Sequence, residues 1–281
     1  MKRRTKMTML MIFLLALALF LVFLLVPSRV QSRFSEIERT FRATLQPSAG
    51  VFTVEELQGY PQAVQDFFIK GGYIGKKKMS GLKAYFPDTP FSLGVGKPMV
   101  TIDYTQLNKA DRPERYAQIS SRIYGLPFEG LDSYGEGKGA MEGYLAKFIR
   151  LFSQKGDYMD RASLVTYLAE AFFLPTVALS ETVTYEQIDA LHVKATMKAY
   201  GMEVSGVFTF LESGEMVKFT TNDRMAASFD GKLEQIPWSA ECSEYTTVDG
   251  IRLPGRLKAT WHYPEGDLVY FDGRDVQVTF F

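Results

Sequence analysis

The segment "LHVKATMKAY", residues 191–200, alternates apolar and polar side chains, and this alternation decides the predicted fold. Successive side chains of a β-strand point to opposite faces, so the pattern predicts a strand with one packed face and one wet face. The residues that follow repeat it in "EVSGVFTF", "EMVKFTT", "PWSAECSEYTTV", "LPGRLKATWHY", "DLVYF" and "DVQVTFF". We therefore expect a succession of strands from Val183 to Phe281.

Short turns separate these predicted strands. Typical turn dipeptides stand between them, including Ser213-Gly214, Asp249-Gly250 and Asp272-Gly273. Parallel strands need long crossover connections, usually helices, and loops of this length cannot hold them. The strands are therefore predicted to form an antiparallel meander.

The residues upstream of the meander predict further strands and a few helices. Short apolar runs broken by Gly, Pro, Asn and Asp predict strands over residues 77–134. Helical spacing predicts one helix within residues 61–72, another in "MEGYLAKFIRLF", and a third that Asp160 caps and Pro175 ends. The predicted class is α+β: a curved, half-barrel-like antiparallel sheet packed by or lidded with two or three helices.

The N-terminus predicts a membrane anchor. Residues 7–26 contain Thr8 as their only polar member, and at about 1.5 Å per residue they would span a hydrocarbon layer of about 30 Å. Basic residues precede the run, which places the N-terminus in the cytoplasm. The predicted organisation is a cytoplasmic tail at 1–6, a transmembrane anchor at 7–26, a stalk and linker at 27–50, and an extracytoplasmic domain at 51–281.

A cleaved signal peptide is the alternative interpretation of this apolar run. Signal peptides usually have a shorter apolar region than residues 7–26, so an uncleaved anchor is favoured. The expected location is the cell membrane, with a single pass and the C-terminal domain outside.

Composition excludes several classes of site and partner. Lys plus Arg equals Asp plus Glu at 32 each, so no overall charge would attract nucleic acid. Cys242 is the only cysteine and there are two histidines, which argues against a disulfide and a metal site. The loop "GEGKG", residues 135–139, lacks the spacing of a phosphate-binding loop. No cofactor and no metal are therefore expected.

Several motifs, taken in order, resemble an uncharacterised bacterial family of domains of unknown function. They cover about residues 60–281 and are "YPQAVQDFFIKGGYIGK", "MDRASLVTYLAEAFFLPTVAL", Ile188-Asp189, "NDRMA", "IPWSAECSEY", "DGIRLPGRLKATW" and "VYFDGRDVQVTFF". Members of the family show a Tyr-Leu-x-Glu helix followed by Pro-Thr-x-x-Leu, and a C-terminal meander with Pro-Trp, Asp-Gly and Leu-Pro signatures. The resemblance implies a β-rich antiparallel fold and, in many members, membrane association. It implies no established activity.

Two details qualify that resemblance. Residues 171–173 read Ala-Phe-Phe where relatives more often carry a tryptophan before the proline, so no role is assigned to an indole there. The order of strands, helices and strands is also similar to that of lipoprotein-carrier half-barrels, in which a helical lid shields acyl chains. An analogy at the level of the fold does not establish function.

Glu170 is the one carboxylate in the apolar stretch "LVTYLAEAFFLPTVAL", residues 164–179. Three interpretations remain open. The residue lies on a solvated helix edge, or it is buried against a cation, with Arg224 as the preferred partner. In the third interpretation it is a catalytic acid that works with Asp189, because hydrolysis of this kind needs two carboxylates.

Aromatic residues of the meander suggest a cavity or a core. Trp238 and Trp261, with Tyr245 and Tyr263, would line a ligand cavity or fill a packed interior. The predicted ligand-binding residues are Glu170, Arg224, Tyr167, Trp238 and Tyr245, and no residue is assigned to catalysis.

Three hypotheses of function follow. The leading one is a membrane-anchored extracytoplasmic protein that binds a lipid or another apolar ligand in the concave face of its sheet. The first alternative is an envelope interaction or structural module with a filled core, whose protein partner the sequence does not identify. The second is a hydrolase that uses Glu170 and Asp189. A large void beneath the helices would favour ligand binding over a module with a filled core.

Overall fold

A computed structural model describes residues 2–227 and 232–281, which form five α-helices and sixteen strands. The helices are α1 Lys2–Leu25, α2 Arg29–Thr44, α3 Gln62–Lys70, α4 Asp157–Ala169 and α5 Pro175–Ala178. The first strands are β1 Gly81–Ser92, β2 Met99–Lys109, β3 Arg115–Ile123, β4 Leu126–Gly135, β5 Lys138–Leu145 and β6 Ile149–Lys155. The later strands are β7 Val183–Gln187, β8 His192–Ala199, β9 Met202–Phe210, β10 Met216–Thr221, β11 Met225–Ala227, β12 Leu233–Gln235, β13 Trp238–Val248, β14 Ile251–Tyr263, β15 Gly266–Gly273 and β16 Gln277–Phe280.

Fourteen of these strands form one antiparallel sheet. Its order is β6-β5-β4-β3-β2-β1-β15-β14-β13-β10-β9-β8-β7, and β16 also pairs with β1. The strands β11 and β12 form a separate hairpin. Strand β1 therefore joins two meanders, one running from β1 to β6 and one from β7 to β15. The α+β class and the antiparallel meander are confirmed.

The alternation in residues 191–200 corresponds to burial in strand β8. Val193, Ala195 and Met197 are fully buried, whereas Lys194 and Lys198 are exposed. The apolar face turns toward the interior of the molecule because only that orientation removes these side chains from water.

The helix predicted in "MEGYLAKFIRLF" is wrong, because this segment forms β5, the following turn and β6. Ala146 and Lys147 make the turn with φ angles of 49° and 69°.

Two glycines explain why this segment forms strands. A Cβ on Gly139 would lie 2.4 Å from the carbonyl oxygen of Met159 in α4, and one on Gly143 would lie 2.3 Å from the Phe152 ring. Glycine weakens a helix by about 1 kcal/mol relative to alanine, and here it permits close packing of the strand instead.

The helix predicted within residues 61–72 is confirmed as α3. It begins after Pro61 and ends at Gly71. Its buried face carries Phe67 and Phe68, whose rings pack with Tyr73. These aromatic contacts hold α3 against the main core.

The segment predicted as a stalk forms α2, which lies against the outer face of the sheet. Ser28 caps this helix through a reciprocal pair of hydrogen bonds with Gln31. The apolar side of α2 packs on β2, β4 and β5 in a second core made of Val30, Phe34, Phe41, Leu107, Leu131 and Tyr144. The stripe of apolar residues in this segment therefore has a partner on the domain.

Helix α1 ends at the turn between β5 and β6. The ammonium group of Lys147 donates hydrogen bonds to the carbonyl oxygens of Phe23 (2.5 Å) and Val26 (2.7 Å). Within the residues that the structure describes, no helix combines the length and the apolar character needed to cross a membrane. The transmembrane anchor at residues 7–26 stays a prediction.

Helix α4 lies inside the curve of the sheet and contacts β4, β5 and β6 on one side and β9 on the other. It begins at Asp157 rather than at Arg161, and Asp160 does not cap it. Instead the Asp160 carboxylate accepts hydrogen bonds from the Gly139 backbone N–H and from Lys138 Nζ, both at 2.7 Å.

The next residue of α4 reaches the other half of the sheet. Arg161 pairs with Asp223 at 3.0 Å, and the carboxylate of Asp223 accepts a 2.7 Å hydrogen bond from the backbone of Ser205 in β9. Consecutive residues of α4 thus fasten it to both meanders.

Candidate functional site

A cavity of about 300 Å³ lies between the concave face of the sheet and α4. Side chains from both meanders line it, and most are apolar. They include Phe91, Ile119, Phe128, Met141, Phe152, Phe173, Phe219, Leu257 and Phe271. The volume is at the lower end of the range for ligand pockets, which is about 300–1,000 Å³. It is larger than the voids of a close-packed core, which rarely exceed a water molecule.

Glu170 lies at the C-terminal end of α4 and forms part of the cavity wall. Its side chain is buried and faces an arginine, but the partner is Arg115 rather than Arg224. The Arg115 Nε–H group lies 3.0 and 3.1 Å from the two carboxylate oxygens, and Asn108 donates a third hydrogen bond at 2.7 Å. The interpretation of a buried Glu170 paired with a cation is thus correct, and the predicted partner is wrong.

Arg115 is the centre of this polar cluster. Its guanidinium also donates to Asp132 at 2.5 Å and to the Tyr104 hydroxyl at 2.6 Å. Burial alone would lower the pKa of Arg115, but Glu170, Tyr104 and Asp132 outweigh it and hold the pKa well above its usual value. Burial raises the pKa of Tyr104. Arg115 therefore stays charged at the cavity wall, with a hydrogen-bond acceptor for each of its three nitrogens.

The sequence did contain a signal for Arg115. In β3 this residue shares a face with Ala117 and Ile119, both buried. A charged side chain at an inward position of a strand must find partners inside the protein. Such a position is a candidate for a buried ionic cluster, although the alternation alone does not identify the partners.

The structure does not bring together Glu170 and Asp189, the two carboxylates of the hydrolase hypothesis. Asp189 lies in an exposed turn, where its carboxylate accepts hydrogen bonds from the His192 ring and from the backbone of Leu191 and His192, each at 2.9 Å. It is not part of the cavity wall. The Glu170 carboxylate meanwhile accepts hydrogen bonds from Arg115 and Asn108.

Arg224 follows β10 and lies in a different part of the cavity wall. Its guanidinium carbon sits 4.4 Å from the centre of the Trp238 ring and 5.2 Å from that of Trp261. These two tryptophans are directly opposite each other on β13 and β14. The Trp238 indole N–H donates to the Tyr270 hydroxyl at 3.0 Å. This hydrogen bond fixes the orientation of the Trp238 ring on which Arg224 stacks.

The guanidinium of Arg224 carries an unused donor. Its Nε atom is buried and has no hydrogen-bond acceptor among residues 2–227 and 232–281. The two indoles attract the cation through their ring faces, an interaction worth about 0.5–2 kcal/mol, but they accept no conventional hydrogen bond from it. The site therefore presents a positive charge, stacked on aromatic rings, to an apolar cavity.

Two of the predicted ligand-binding residues make bonds within the protein instead. The Tyr167 hydroxyl donates to the Lys109 carbonyl at 2.6 Å, and the Tyr245 hydroxyl donates to the Met216 carbonyl at 2.5 Å. Neither tyrosine is part of the cavity wall, whereas Glu170, Arg224 and Trp238 are. Burial raises the pKa of both tyrosines, so they stay neutral donors. Ligand binding by the three lining residues stays a prediction.

Cys242 also belongs to the cavity wall. The thiol is buried, and burial raises its pKa, so it behaves as a small apolar side chain. In the part of the chain that the structure describes, no group of three or more His, Cys, Asp or Glu side chains is arranged to hold a metal ion.

Comparison with known proteins gives a family and a distant structural likeness. The crystal structure of a LolA-superfamily protein from Nitrosomonas europaea aligns with 77% of this chain and 92% of its own, at 12% identity and a TM-score of 0.40. No curated protein matches the chain. Residues 50–273 match a family of unknown function, DUF6544. The resemblance to an uncharacterised family is thereby confirmed, and the chain belongs to DUF6544.

Proposed function

We propose that this protein binds an apolar ligand that carries one anionic group, and that it does so in the cavity between the sheet and α4. The observation that carries the proposal is Arg224. Its guanidinium lines an apolar cavity, is stacked on Trp238 and Trp261, and has a buried donor without an acceptor. A lipid with a carboxylate or phosphate group is the class of ligand that fits both features.

The two parts of the ligand would meet different parts of the wall. An acyl chain gains about 25 cal/mol for each Å² of apolar surface that leaves water, and rings such as Phe128 and Phe271 supply the contacting surface. The anionic group would accept hydrogen bonds from Arg224. Charge-assisted hydrogen bonds of this kind contribute about 1.5–3 kcal/mol. The cluster around Arg115 would not compete for the anion, because Glu170 and Asp132 already occupy that guanidinium.

The volume of the cavity favours this function over a module with a filled core. A core packed to normal density leaves few voids larger than a water molecule, whereas this cavity holds about 300 Å³. Catalysis is not part of the proposal, because Glu170 is held by Arg115 and Asp189 lies in an exposed turn away from the cavity wall.

We also propose, on the sequence of residues 7–26, that the chain is held at a membrane with its C-terminal domain on the outer side. A reporter enzyme that is active only in the cytoplasm, fused after Phe281, tests this placement. An active fusion would refute it. We expect this fusion to be inactive. We expect a second fusion, to a reporter that works only outside the cytoplasm, to be active.

Titration of the full chain in detergent with a fluorescent long-chain fatty acid tests the ligand proposal. The alcohol with the same chain serves as the matched ligand. We expect Arg224→Gln to weaken binding of the acid by about 10- to 100-fold, the loss of one charge-assisted contact. Binding of the alcohol should not change.

Arg274→Gln is the matched control variant. Arg274 is about half exposed and lies 3.8 Å from its carboxylate partners, so its loss should leave both affinities unchanged. Equal affinity of the wild-type chain for acid and alcohol would refute the role of Arg224. Failure to bind either ligand would refute the proposed function itself.

A further inference from the structure

Three turns of the N-terminal meander lie at one end of the sheet. Successive turns of an antiparallel meander alternate between its two ends. The turns β1–β2, β3–β4 and β5–β6 therefore share one end, and β2–β3 and β4–β5 share the other. Exposed apolar side chains cluster on the first group. We call this surface the apolar rim and define it as Val95, Met99, Tyr124, Leu126, Phe148 and Ile149.

Tyr124 is the most unusual member of the apolar rim. Its side chain is 98% exposed and its φ angle is 50°, and Gly125 follows with a φ of 79°. A two-residue hairpin turn with both φ angles positive usually begins with Asn, Asp or Gly. A tyrosine here strains the backbone and leaves an aromatic ring in water. Such a conflict with local preferences is expected at functional positions.

The charged residues within the three turn segments of the apolar rim are all positive. Residues 93–102, 119–128 and 143–153 contain Lys and Arg but no Asp or Glu. Arg122 and Arg150 are exposed among them. Carboxylates border these segments: Asp88 and Asp103 line a shallow pocket with Tyr124, and Glu265 and Asp267 line another with Val95.

The opposite end of the same meander differs in both respects. Its turns carry Asp111, Arg112, Glu114 and Glu136 and no exposed large apolar side chain. The combination of exposed apolar and basic side chains is therefore a property of one end of this meander. It is typical of surfaces that lie in the interface of an anionic membrane.

Helix α1 joins the domain at this end. Lys147, in the β5–β6 turn, donates to the carbonyl oxygens of Phe23 and Val26, and the Phe23 ring meets the Phe148 ring edge-on at 6.4 Å. Met9 and Phe13 of α1 are exposed. If α1 is in a bilayer, the apolar rim lies beside the point where the chain leaves that bilayer.

We propose that the apolar rim inserts into the interface of an anionic lipid bilayer, with Arg122 and Arg150 against the head groups. The inference rests on the proposed attachment of the chain to a membrane. It also bears on ligand exchange. Leu93 and Gly94 of the β1–β2 turn line the cavity, so the cavity reaches the same end of the sheet as the apolar rim. A ligand would then pass between bilayer and cavity over a short distance.

Two matched dye positions test this orientation on the full chain. Tyr124→Cys and Glu136→Cys each change the first residue of a two-residue turn, with φ angles of 50° and 52°, at opposite ends of the sheet. The native thiol of Cys242 is buried and stays unlabelled. Each variant is labelled with an environment-sensitive dye and reconstituted into vesicles of equal parts phosphatidylcholine and phosphatidylglycerol, some with spin-labelled lipid.

We expect the dye at position 124 to shift to shorter wavelength and to be quenched severalfold more by spin-labelled lipid than the dye at 136. Adding Arg122→Glu and Arg150→Glu should reduce the quenching at 124. Equal, water-like signals at both positions in chains that float with the vesicles would refute the apolar rim but leave the attachment intact. Chains that do not float would refute both. A dye at 124 that is shielded before vesicles are added would indicate a protein contact and also refute the proposal.

Discussion

Removing the carboxylate of Glu170 should destabilise the protein by about 3–5 kcal/mol, the usual cost of breaking a buried ion pair. In Glu170→Ala, Arg115 would keep Asp132 and Tyr104 but lose the acceptor on its Nε–H group, and Asn108 would lose its acceptor as well. The guanidinium is buried, so water cannot replace these contacts cheaply. The cost arises from the groups that remain rather than from the side chain that is removed.

Urea unfolding of the full chain in detergent measures this cost. The two tryptophans of the chain, Trp238 and Trp261, lie in the cavity wall and report loss of the sheet. With a slope of about 3 kcal/mol per molar urea, a loss of this size lowers the midpoint by about 1–1.7 M.

Two further variants isolate the buried pair. Glu170→Gln keeps the shape and the acceptor oxygen, so it should lower the midpoint less than Glu170→Ala. Glu186→Ala removes a carboxylate that is 76% exposed and 3.9 Å from Lys194, and should leave the midpoint unchanged. The reasoning is refuted if Glu170→Ala and Glu186→Ala unfold at the same urea concentration. Loss of ligand binding without loss of stability would instead assign Glu170 to the ligand.

Further predictions concern the helix contact, the cavity and pH. Gly139→Ala places a Cβ 2.4 Å from a backbone oxygen of α4 and should lower stability by about 1–3 kcal/mol, measured by urea unfolding. Ala259→Leu adds volume to the cavity wall and should weaken fatty-acid binding with little effect on stability, whereas Ala117→Leu, in the filled core outside the cavity wall, should destabilise the protein. Hydrogen bonds from Arg256 hold the pKa of Asp272 below its usual value, so stability present at neutral pH is lost as the pH falls below about 4, and Asp272→Asn should flatten this part of a stability–pH curve.

The sequence predicts the C-terminal meander well, because alternation and turn chemistry are local. Val193, Ala195 and Met197 show their buried face without reference to any other strand. The prediction fails over residues 141–152, where an apolar spacing compatible with a helix coincides with β5 and β6. The glycines of β5 were the local signal against a helix, and their role depends on how closely α4 and Phe152 approach.

The candidate site was predictable only in part, because its contacts are not local. Glu170 and Arg115 are 55 positions apart in the chain, and no periodicity relates them. Burial of Glu170 could be considered from its apolar neighbours, but the choice between Arg115 and Arg224 depends on which strand faces the end of α4. Trp238 and Arg224 were identified from their residue types, and their stacking depends on the path of the chain after β10.

The adjacent side chains of Asp160 and Arg161 contact β5 and the segment after β10, respectively. Neighbouring positions on an α-helix diverge by about 100°, which allows two consecutive residues to reach walls on different sides. These two contacts with the sheet therefore fix the rotation of α4 about its own axis. A single alanine inserted between these two residues would turn the rest of the helix by about 100°. Asp160 and Arg161 could then no longer reach their partners at the same time. Thermal denaturation of that insertion variant would reveal the mismatch as a lowered midpoint, while an alanine inserted in the exposed turn at Gly201 would be tolerated.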